Sequence, residues 1–207
     1  EWIKKYCYEN NKSSLIIGIS GGIDSAVTST LCARTGLNVI PVSMPILQHK
    51  KLQNRSLAHI YWLKSKFSNI KYTITDLSEV FNQFKKSLKD FPSEHGLANS
   101  QARLRMTALY QVAAFYDGLV VGTGNKVEDF GIGFYTKYGD GGVDISPIAD
   151  CFKTEVWEMG KKLEILDDII QAEPTDGLWE DGRTDESQVG LKYHEMEEAM
   201  INENSKN

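Results

Sequence analysis

Residues 18–25 combine residue types that could hold a phosphate chain. The apolar run 15–17 leads into Gly18-Ile19-Ser20-Gly21-Gly22-Ile23-Asp24-Ser25. Glycines let the backbone approach an anion without interference from a Cβ atom, and a helix starting after them directs its N–H groups and positive dipole end at that anion. Ser20 and Ser25 add hydroxyl donors. An ordinary turn capped by Ser20 or Asp24 would explain Ser-Gly-Gly by itself, but the whole run predicts a phosphate loop.

This loop differs from the best-known phosphate loop, the Walker A motif. A Walker A loop ends in Gly-Lys-Ser/Thr, and its lysine reaches the β- and γ-phosphates. No lysine follows Gly21 and Gly22 here. A different mode of phosphate binding is therefore predicted.

A second group of polar residues follows the short apolar run 119–121. Gly122-Thr123-Gly124-Asn125-Lys126-Val127-Glu128 brings a hydroxyl, an amide, a cation and a carboxylate to the end of a predicted strand. Because Mg²⁺ in nucleotide sites is held by a few oxygen ligands, commonly carboxylates, Asp24 and Glu128 form a natural ligand pair. Asp129 is equally suitable in its chemistry, and the spacing does not choose between Glu128 and Asp129.

Further cations lie on predicted helices. Arg103 and Arg105 are two positions apart and so point about 200° away from each other on a helix, which leaves only one of them facing a given ligand. Lys153 begins a helical pattern and can serve a phosphate as a point charge.

Residues 133–147 form a glycine- and aromatic-rich segment. Such long irregular segments in compact domains are usually functional. We interpret it as an ordered binding loop.

The elements that must position these residues alternate between strand and helix. Apolar periodicity predicts helices over 2–9, 57–67, 77–88, 98–116 and 153–163 and strands over 15–19, 39–44, 70–74 and 119–121. The alternation predicts an α/β fold, a single Rossmann-like doubly wound domain over 1–207 with a parallel sheet and helices on both faces. Ligands bind beyond the carboxyl ends of such strands, so both polar loops should face one crevice. The polar tail 196–207 has no predicted closing element.

Composition narrows the classes of protein. The formal net charge of −5 over 207 residues argues against nucleic acid as the main partner. Three cysteines without a Cys-x-x-Cys pair argue against a disulfide framework or a zinc site and favour the reducing cytoplasm. There is no apolar run of membrane-spanning length, so no membrane partner is expected. The chain begins at Glu1 rather than Met, and we expect its termini to be incomplete.

The loop resembles the Ser-Gly-Gly-x-Asp-Ser pyrophosphate loop of the ATP pyrophosphatases, which cleave ATP between its α- and β-phosphates. With Ala102–Met106, Gly122–Glu128, Thr136–Asp144 and Pro174-Thr175 in the same order, nearly the whole chain resembles the ammonia-dependent NAD synthetases. The segment Thr136–Asp144 makes the resemblance specific to that family. It implies amidation of deamido-NAD: the nicotinate carboxylate attacks the α-phosphate of ATP, and ammonia then displaces AMP from the acyl-adenylate.

The resemblance also implies residue roles. Its ATP-binding positions are Gly18, Ile19, Ser20, Gly21, Gly22, Ile23, Asp24, Ser25, Thr123, Lys153 and Thr175. Its deamido-NAD positions are Arg103, Lys137 and Asp144, and its Mg²⁺ ligands are Asp24 and Glu128. Asp140, Lys153 and Thr123 are the expected catalytic residues, with Asp140 accepting a proton from the attacking ammonia.

One departure from the family concerns the dinucleotide. The family commonly supplies a C-terminal His-Lys pair to that substrate, and nothing after Tyr193 resembles it. The resemblance further implies a homodimer with the dinucleotide site near the subunit boundary. Two rival functions are an adenylating enzyme acting on tRNA, which the acidic balance disfavours, and a non-catalytic ATP sensor, which Asp24, Glu128 and Lys153 disfavour.

Overall fold

A parallel sheet lies at the centre of the computed structural model, which describes residues 1–48, 50–175, 177 and 183–204. Its strands are β1 (Ser14–Gly18), β2 (Asn38–Ser43), β3 (Thr73–Ile74) and β4 (Gly118–Val121). They are ordered β3-β2-β1-β4, and each neighbouring pair is parallel. All four carboxyl ends therefore lie at one edge, and the chain after β1 and the chain after β4 leave the sheet side by side.

Helices cover the sheet and its edges. They are α1 (Trp2–Glu9), α2 (Ile23–Ala33), α3 (Lys50–Lys66), α4 (Ser78–Ser87), α5 (Glu94–Tyr116), α6 (Lys153–Lys162), α7 (Asp167–Ile170), α8 (Asp185–Val189) and α9 (Tyr193–Asn204), with a π-helix at Val127–Ile132. No helix in the described ranges is long and apolar enough to cross a membrane.

Alternate side chains of β1 enter two different cores, as the period of a strand requires. Leu15 and Ile17 pack in a cluster that contains Ile60 of α3. Ile16, between them, packs in a cluster that contains Leu109 of α5. Both faces of the sheet are thus covered by helices, which confirms the predicted doubly wound α/β class.

The predicted elements exist, and the main differences lie at their ends. Helix α3 begins seven residues before the predicted Leu57, because its first two turns are polar and carry no apolar period. Helix α5 begins four residues before Ala98, after Ser93, whose hydroxyl caps it by accepting a hydrogen bond from the amide of Gly96 (3.0 Å). Its end, at Asp117 in the left-handed conformation, is where the sequence predicted it.

The expectation that residues 196–207 lack an ordered closing element is wrong for its described part. Residues 193–204 form α9, and Tyr193 and Met196 are buried against Val127 of the π-helix. The sequence shows little apolar periodicity here because the helix is anchored largely by polar side chains. Its first turn therefore reaches the edge of the sheet where the polar loops lie.

Helix α6 is held close to α2 by a glycine. A Cβ atom on Gly160 would lie 2.6 Å from Cδ1 of Ile23, so the terminal methyl group of Ile23 would have to move to make room for it. Because α2 follows the phosphate loop and α6 begins with Lys153, this close approach sets the distance between the loop and the lysine.

Candidate active site

Hydrogen bonds of Ser20 and Ser25 fix the conformation of the glycine-serine loop between β1 and α2. The hydroxyl oxygens of Ser20 and Ser25 are 3.1 Å apart, the amide of Gly22 donates to the hydroxyl of Ser20 (3.2 Å), and the hydroxyl of Ser25 donates to the carbonyl of Gly22 (3.0 Å). The first hydrogen bond of α2 runs from the amide of Ala26 to Gly22 (3.2 Å). The amides of residues 23–25 precede that bond and are not used by the helix, so they can face an anion.

Gly21 lies where no other residue fits. Its φ of +91° falls in the left-handed region, and a Cβ atom would lie 2.7 Å from the carbonyl oxygen of Leu52 and 3.0 Å from the amide nitrogen of Ser56. The glycine therefore lets the loop pass directly against α3.

Lys153 connects the two polar loops. Its Nζ atom lies 2.6 Å from Oδ2 of Asp24 and 2.7 Å from Oε1 of Glu128, and its side chain is only 1% exposed. Burial by itself would lower the pKa of Lys153, but the two carboxylates outweigh burial and raise the pKa above its ordinary value. The cluster contains a permanently charged ammonium between two acids that lie on different loops.

The two acids respond differently to this setting. Burial raises the pKa of Asp24, against the lowering effect of Lys153. Burial by itself would also raise the pKa of Glu128. The charge of Lys153 and the hydrogen bonds that Glu128 accepts nevertheless hold this pKa below its ordinary value. Glu128 is therefore an ionised carboxylate at neutral pH.

Asn125 is a buried residue of this site that sequence reasoning did not select. Its amide group donates to Oδ1 of Asp24 (3.0 Å), and its side-chain oxygen accepts from the amides of Val127 and Glu128, each at 3.1 Å. It thereby fixes the start of the π-helix relative to the phosphate loop. The sequence offered one signal: an amide side chain that follows Gly122 and Gly124 and precedes Glu128.

A cavity of about 460 Å³ opens above this cluster. It is lined by most of the predicted ATP and catalytic positions: Gly18, Ile19, Ser20, Gly22, Ile23, Asp24, Ser25, Thr123, Glu128, Asp140, Lys153 and Thr175. The expectation that the two polar loops face one crevice is confirmed. Within the described ranges, Gly21, Arg103, Lys137 and Asp144 are not among the residues that line it.

The three predicted deamido-NAD positions lie on the outer surface instead. Nε of Arg103 donates to the carbonyl of Lys137 (3.0 Å), and the ammonium of Lys137 lies 5.1 Å from the ring centroid of Tyr138. The carboxylate of Asp144 accepts from the amide of Val120 (2.7 Å) and the hydroxyl of Tyr110 (3.0 Å). These contacts connect the long loop to α5 and β4, and the substrate role of the three residues stays a prediction.

Arg105 points inward, opposite to Arg103, as their spacing predicts. Its Nε donates to the carbonyl of Met44 (3.0 Å), and burial lowers its pKa to about 10 despite the charge of nearby Asp140. Arg55 is a second lining arginine that the sequence did not single out. Its Nε has no hydrogen-bond partner among the described residues, and burial lowers its pKa.

Asp129 and Asp140 add acidic groups to the cavity wall. Burial, followed by the charges of Glu128, Asp140 and Asp24, raises the pKa of Asp129 to about 6. Burial also raises the pKa of Asp140, against the lowering effect of the hydrogen bond that it accepts from the amide of Thr136, although part of the residue is exposed to solvent. Carboxylates with raised pKa values are suited to accepting a proton near neutral pH.

A parallel sheet with a glycine-serine phosphate loop after its first strand defines the class: an α/β nucleotide-binding domain of the ATP pyrophosphatase type. The family model described as NAD synthase matches residues 1–207. A curated relative, the NH(3)-dependent NAD(+) synthetase of Carboxydothermus hydrogenoformans, is 39% identical over 97% of this chain and 82% of its own length. The chain belongs to the NAD synthase family.

Two solved structures agree with this assignment. The NMN synthetase from Francisella tularensis superposes with a TM-score of 0.90 at 34% identity, over 97% of this chain and 82% of that one. The NH3-dependent NAD synthetase from Campylobacter jejuni subsp. jejuni, solved with a nitrate ion, gives a TM-score of 0.74 at 31% identity, over 82% of this chain and 72% of that one.

Proposed function

We propose that this chain, as a member of its family, catalyses the ATP-dependent amidation of deamido-NAD by ammonia, with NAD, AMP and pyrophosphate as products. The observation that carries this proposal is the convergence of Lys153, Asp24 and Glu128 beneath a preformed phosphate loop. A carboxylate is a poor acyl donor, so the reaction needs a triphosphate held with its α-phosphate accessible and its charge neutralised.

In this proposal the triphosphate lies along the loop and the start of α2. The amides of residues 23–25 and the hydroxyls of Ser20 and Thr123 donate to its oxygens, while the hydroxyl of Ser25 stays bonded to the carbonyl of Gly22. Lys153 supplies the cationic charge from below. Such preorganised donors stabilise charge that develops during phosphoryl transfer, since no reorientation is needed at the moment of reaction.

Asp24 and Glu128 are the proposed Mg²⁺ ligands. Their oxygens already approach one point, the ammonium of Lys153, at 2.6 and 2.7 Å, and one or two carboxylates plus phosphate oxygens and water are the usual Mg²⁺ set. Phosphate oxygens of ATP and water molecules would complete the ligand set. The ion, when bound, neutralises phosphate charge.

The chemistry then has two steps. An oxygen of the nicotinate carboxylate attacks the α-phosphorus of ATP, forming an acyl-adenylate while pyrophosphate leaves. Ammonia attacks the acyl carbon, AMP leaves with the C–O bonding pair, and Asp140 takes the proton that the new amide nitrogen loses. Burial raises the pKa of Asp140, and a carboxylate with a raised pKa is a stronger base, which supports this role.

We propose that deamido-NAD reaches this site across a homodimer boundary, contacted by Arg103, Lys137 and Asp144. Their position on the outer surface supports an arrangement in which a second copy completes the substrate site. An exposed apolar stripe runs along α4 and ends at Leu88, the residue directly after it. Its members Val80, Phe84 and Leu88 are 52%, 39% and 40% exposed. Such a stripe on a helix is typical of a protein contact.

A cytoplasmic location is supported by three unpaired cysteines.

Product analysis tests the reaction. Purified protein with ATP, deamido-NAD, Mg²⁺ and ammonium should yield NAD, AMP and pyrophosphate in equal amounts by mass spectrometry. Omission of deamido-NAD or of ammonium should stop NAD formation. Appearance of ADP and phosphate instead of AMP and pyrophosphate would refute the proposal.

A second candidate substrate for the same chemistry is nicotinic acid mononucleotide. The observation that favours it is the TM-score of 0.90 with a structure described as an NMN synthetase. Because the reacting carboxylate is the same in both acids, the phosphate loop does not distinguish them. Measuring kcat/KM for both acids under identical conditions decides which one is preferred.

A further inference from the structure

The first turn of α9 lies directly beneath the lysine–carboxylate cluster. Tyr193 is 1% exposed, and its hydroxyl lies 2.8 Å from Oε1 of Glu128 and 3.0 Å from Oδ2 of Asp185. Its ring centroid lies 5.1 Å from Nζ of Lys153, within the range of a cation–π contact. One side chain therefore touches both the cation and one of the acids.

One turn further along α9, Glu197 holds the start of α6. Its carboxylate accepts from the amide of Thr154 (2.9 Å) and from the hydroxyl of Thr154 (2.7 Å). A carboxylate at a helix N-terminus interacts favourably with the unpaired amides and the helix dipole. Because Lys153 is the first residue of α6, Glu197 fixes the turn that carries the lysine.

We propose that Tyr193 and Glu197 are positioning residues, through which α9 holds Glu128 and Lys153 at the place where Mg²⁺ and ATP bind. Tyr193 orients the carboxylate, and Glu197 orients the helix start. This inference rests on the proposed roles of Glu128 and Lys153. Residues that hydrogen-bond to metal ligands orient them, and removing such a partner typically weakens metal binding or activity about 10–100-fold.

The hydroxyl of Tyr193 can be separated from the packing of its ring. The ring contacts Trp157 edge-on, with centroids 5.6 Å apart, and packs beside Val127 and Met196. A phenylalanine would keep these contacts and the cation–π contact with Lys153. Only the hydrogen bonds to Glu128 and Asp185 would be lost, so Tyr193→Phe isolates the positioning role.

The test compares wild type, Tyr193→Phe and a matched control, Tyr6→Phe. Tyr6 lies on α1, and its half-buried ring packs against the core cluster that contains Leu15 and Ile17. Mn²⁺ binding is measured by electron paramagnetic resonance in the presence of ATP and without deamido-NAD. We expect Tyr193→Phe to weaken Mn²⁺ binding about 10-fold or more and to lower kcat by a similar factor. The KM for ammonia should stay within twofold, and Tyr6→Phe should match wild type in Mn²⁺ affinity and kcat.

Thermal unfolding accompanies each measurement, and Glu197→Gln provides a second variant should Tyr193→Phe not fold. Glu197→Gln should weaken Mn²⁺ binding about threefold, the factor of a lost charge–helix interaction. Wild-type Mn²⁺ affinity and kcat in either folded variant would overturn the inference. The inference and the proposed reaction can fail separately. If Tyr193→Phe binds Mn²⁺ with ATP more weakly than wild type does, but wild type forms no NAD, the inference stands and the proposed reaction is refuted.

Discussion

Lys153 is the residue through which the phosphate loop and the second polar loop interact. It is separated by 129 positions from Asp24 and by 25 from Glu128, yet it contacts both. A buried charge is costly unless it is paired, so the three side chains stabilise one another only as a group. A divalent ion brought by ATP would compete with the ammonium for the same two carboxylates.

The metal assignment makes a prediction about single acids. Asp24→Asn and Glu128→Gln should each lower kcat about 10²–10³-fold, because each removes one charge from the proposed metal centre, which would stabilise the reacting phosphates. The fold should persist, since each variant leaves the other carboxylate paired with Lys153. Steady-state kinetics and thermal unfolding measure the two effects.

Asp129→Asn is the control for that prediction. Asp129 is adjacent to Glu128 in sequence and lines the same cavity, but its carboxylate is not bound to Lys153 within the described hydrogen bonds. The kcat of Asp129→Asn should fall less than the kcat of Glu128→Gln, because Asp129 is a neighbour of the proposed ligand and not a ligand itself. Equal losses in Asp129→Asn and Glu128→Gln would contradict the choice of Glu128 as ligand.

At the scale of elements, the phosphate loop depends on its close approach to α3. Gly21→Ala should lower ATP affinity strongly, because a methyl group would meet the carbonyl of Leu52 at 2.7 Å and push the loop outward. It should also destabilise the fold by about 1–3 kcal/mol through its positive φ. Isothermal titration with ATP and denaturant unfolding measure the two effects.

Gly36→Ala is the matched control for the loop. Gly36 also has a positive φ of +79°, but nothing lies within 4 Å of its added Cβ atom. Gly36→Ala should share the loss of stability and leave ATP affinity unchanged. Unaltered ATP binding in Gly21→Ala would show that the loop does not need to lie against α3.

Helix α3 also contributes a pH-dependent element to the core. His59 is fully buried, with Nε2 2.9 Å from the hydroxyl of Ser29, and burial lowers its pKa to about 4. In the unfolded chain His59 takes up a proton near pH 6.5, whereas in the folded protein His59 stays neutral at that pH. The contribution to stability is therefore fully present above pH 6.5 and is lost as the pH falls toward 4.

The size of this effect follows from the shift in pKa. A difference of about 2.5 units corresponds to about 3 kcal/mol. His59→Gln removes the titration and keeps a group that can pair with Ser29. Urea unfolding at pH 7 and pH 5 should show a smaller decrease for His59→Gln than for wild type, and identical decreases would contradict this account.

At the scale of the whole molecule, the proposed route of deamido-NAD to the cavity runs across a boundary between two copies of the chain. The proposed homodimer predicts sedimentation of the 23.3 kDa chain as a species of twice that mass. Phe84→Glu, in the stripe on α4, should shift the equilibrium toward monomer and raise the KM for deamido-NAD, because a charge would have to be buried at the contact.

Tyr8→Glu is the control for the dimer. Tyr8 is 63% exposed on α1, and α1 packs on the opposite face of the sheet from α4. The oligomeric state of Tyr8→Glu and its KM for deamido-NAD should equal those of wild type. A monomeric wild-type protein with full activity would refute the homodimer.

The sequence by itself determined the parts of this protein that depend on neighbouring residues. A glycine-rich turn between an apolar strand and a helix requires only local backbone geometry, so residues 18–25 and the end of α5 at Asp117 were predictable. Alternation of strands and helices then predicted the parallel sheet and the crevice. The starts of α3 and α5 were misplaced, because polar exposed turns carry no apolar period.

Only the tertiary structure decided which distant side chains meet. The pairing of Lys153 with Asp24, the amide bridge of Asn125 and the contact of Tyr193 with Glu128 join residues from separate elements, and no local pattern encodes their distances. Helix α9 was missed for the same reason. Its anchoring hydrogen bonds end on α6 and on the π-helix, so its position is stabilised only once the rest of the chain has folded around it.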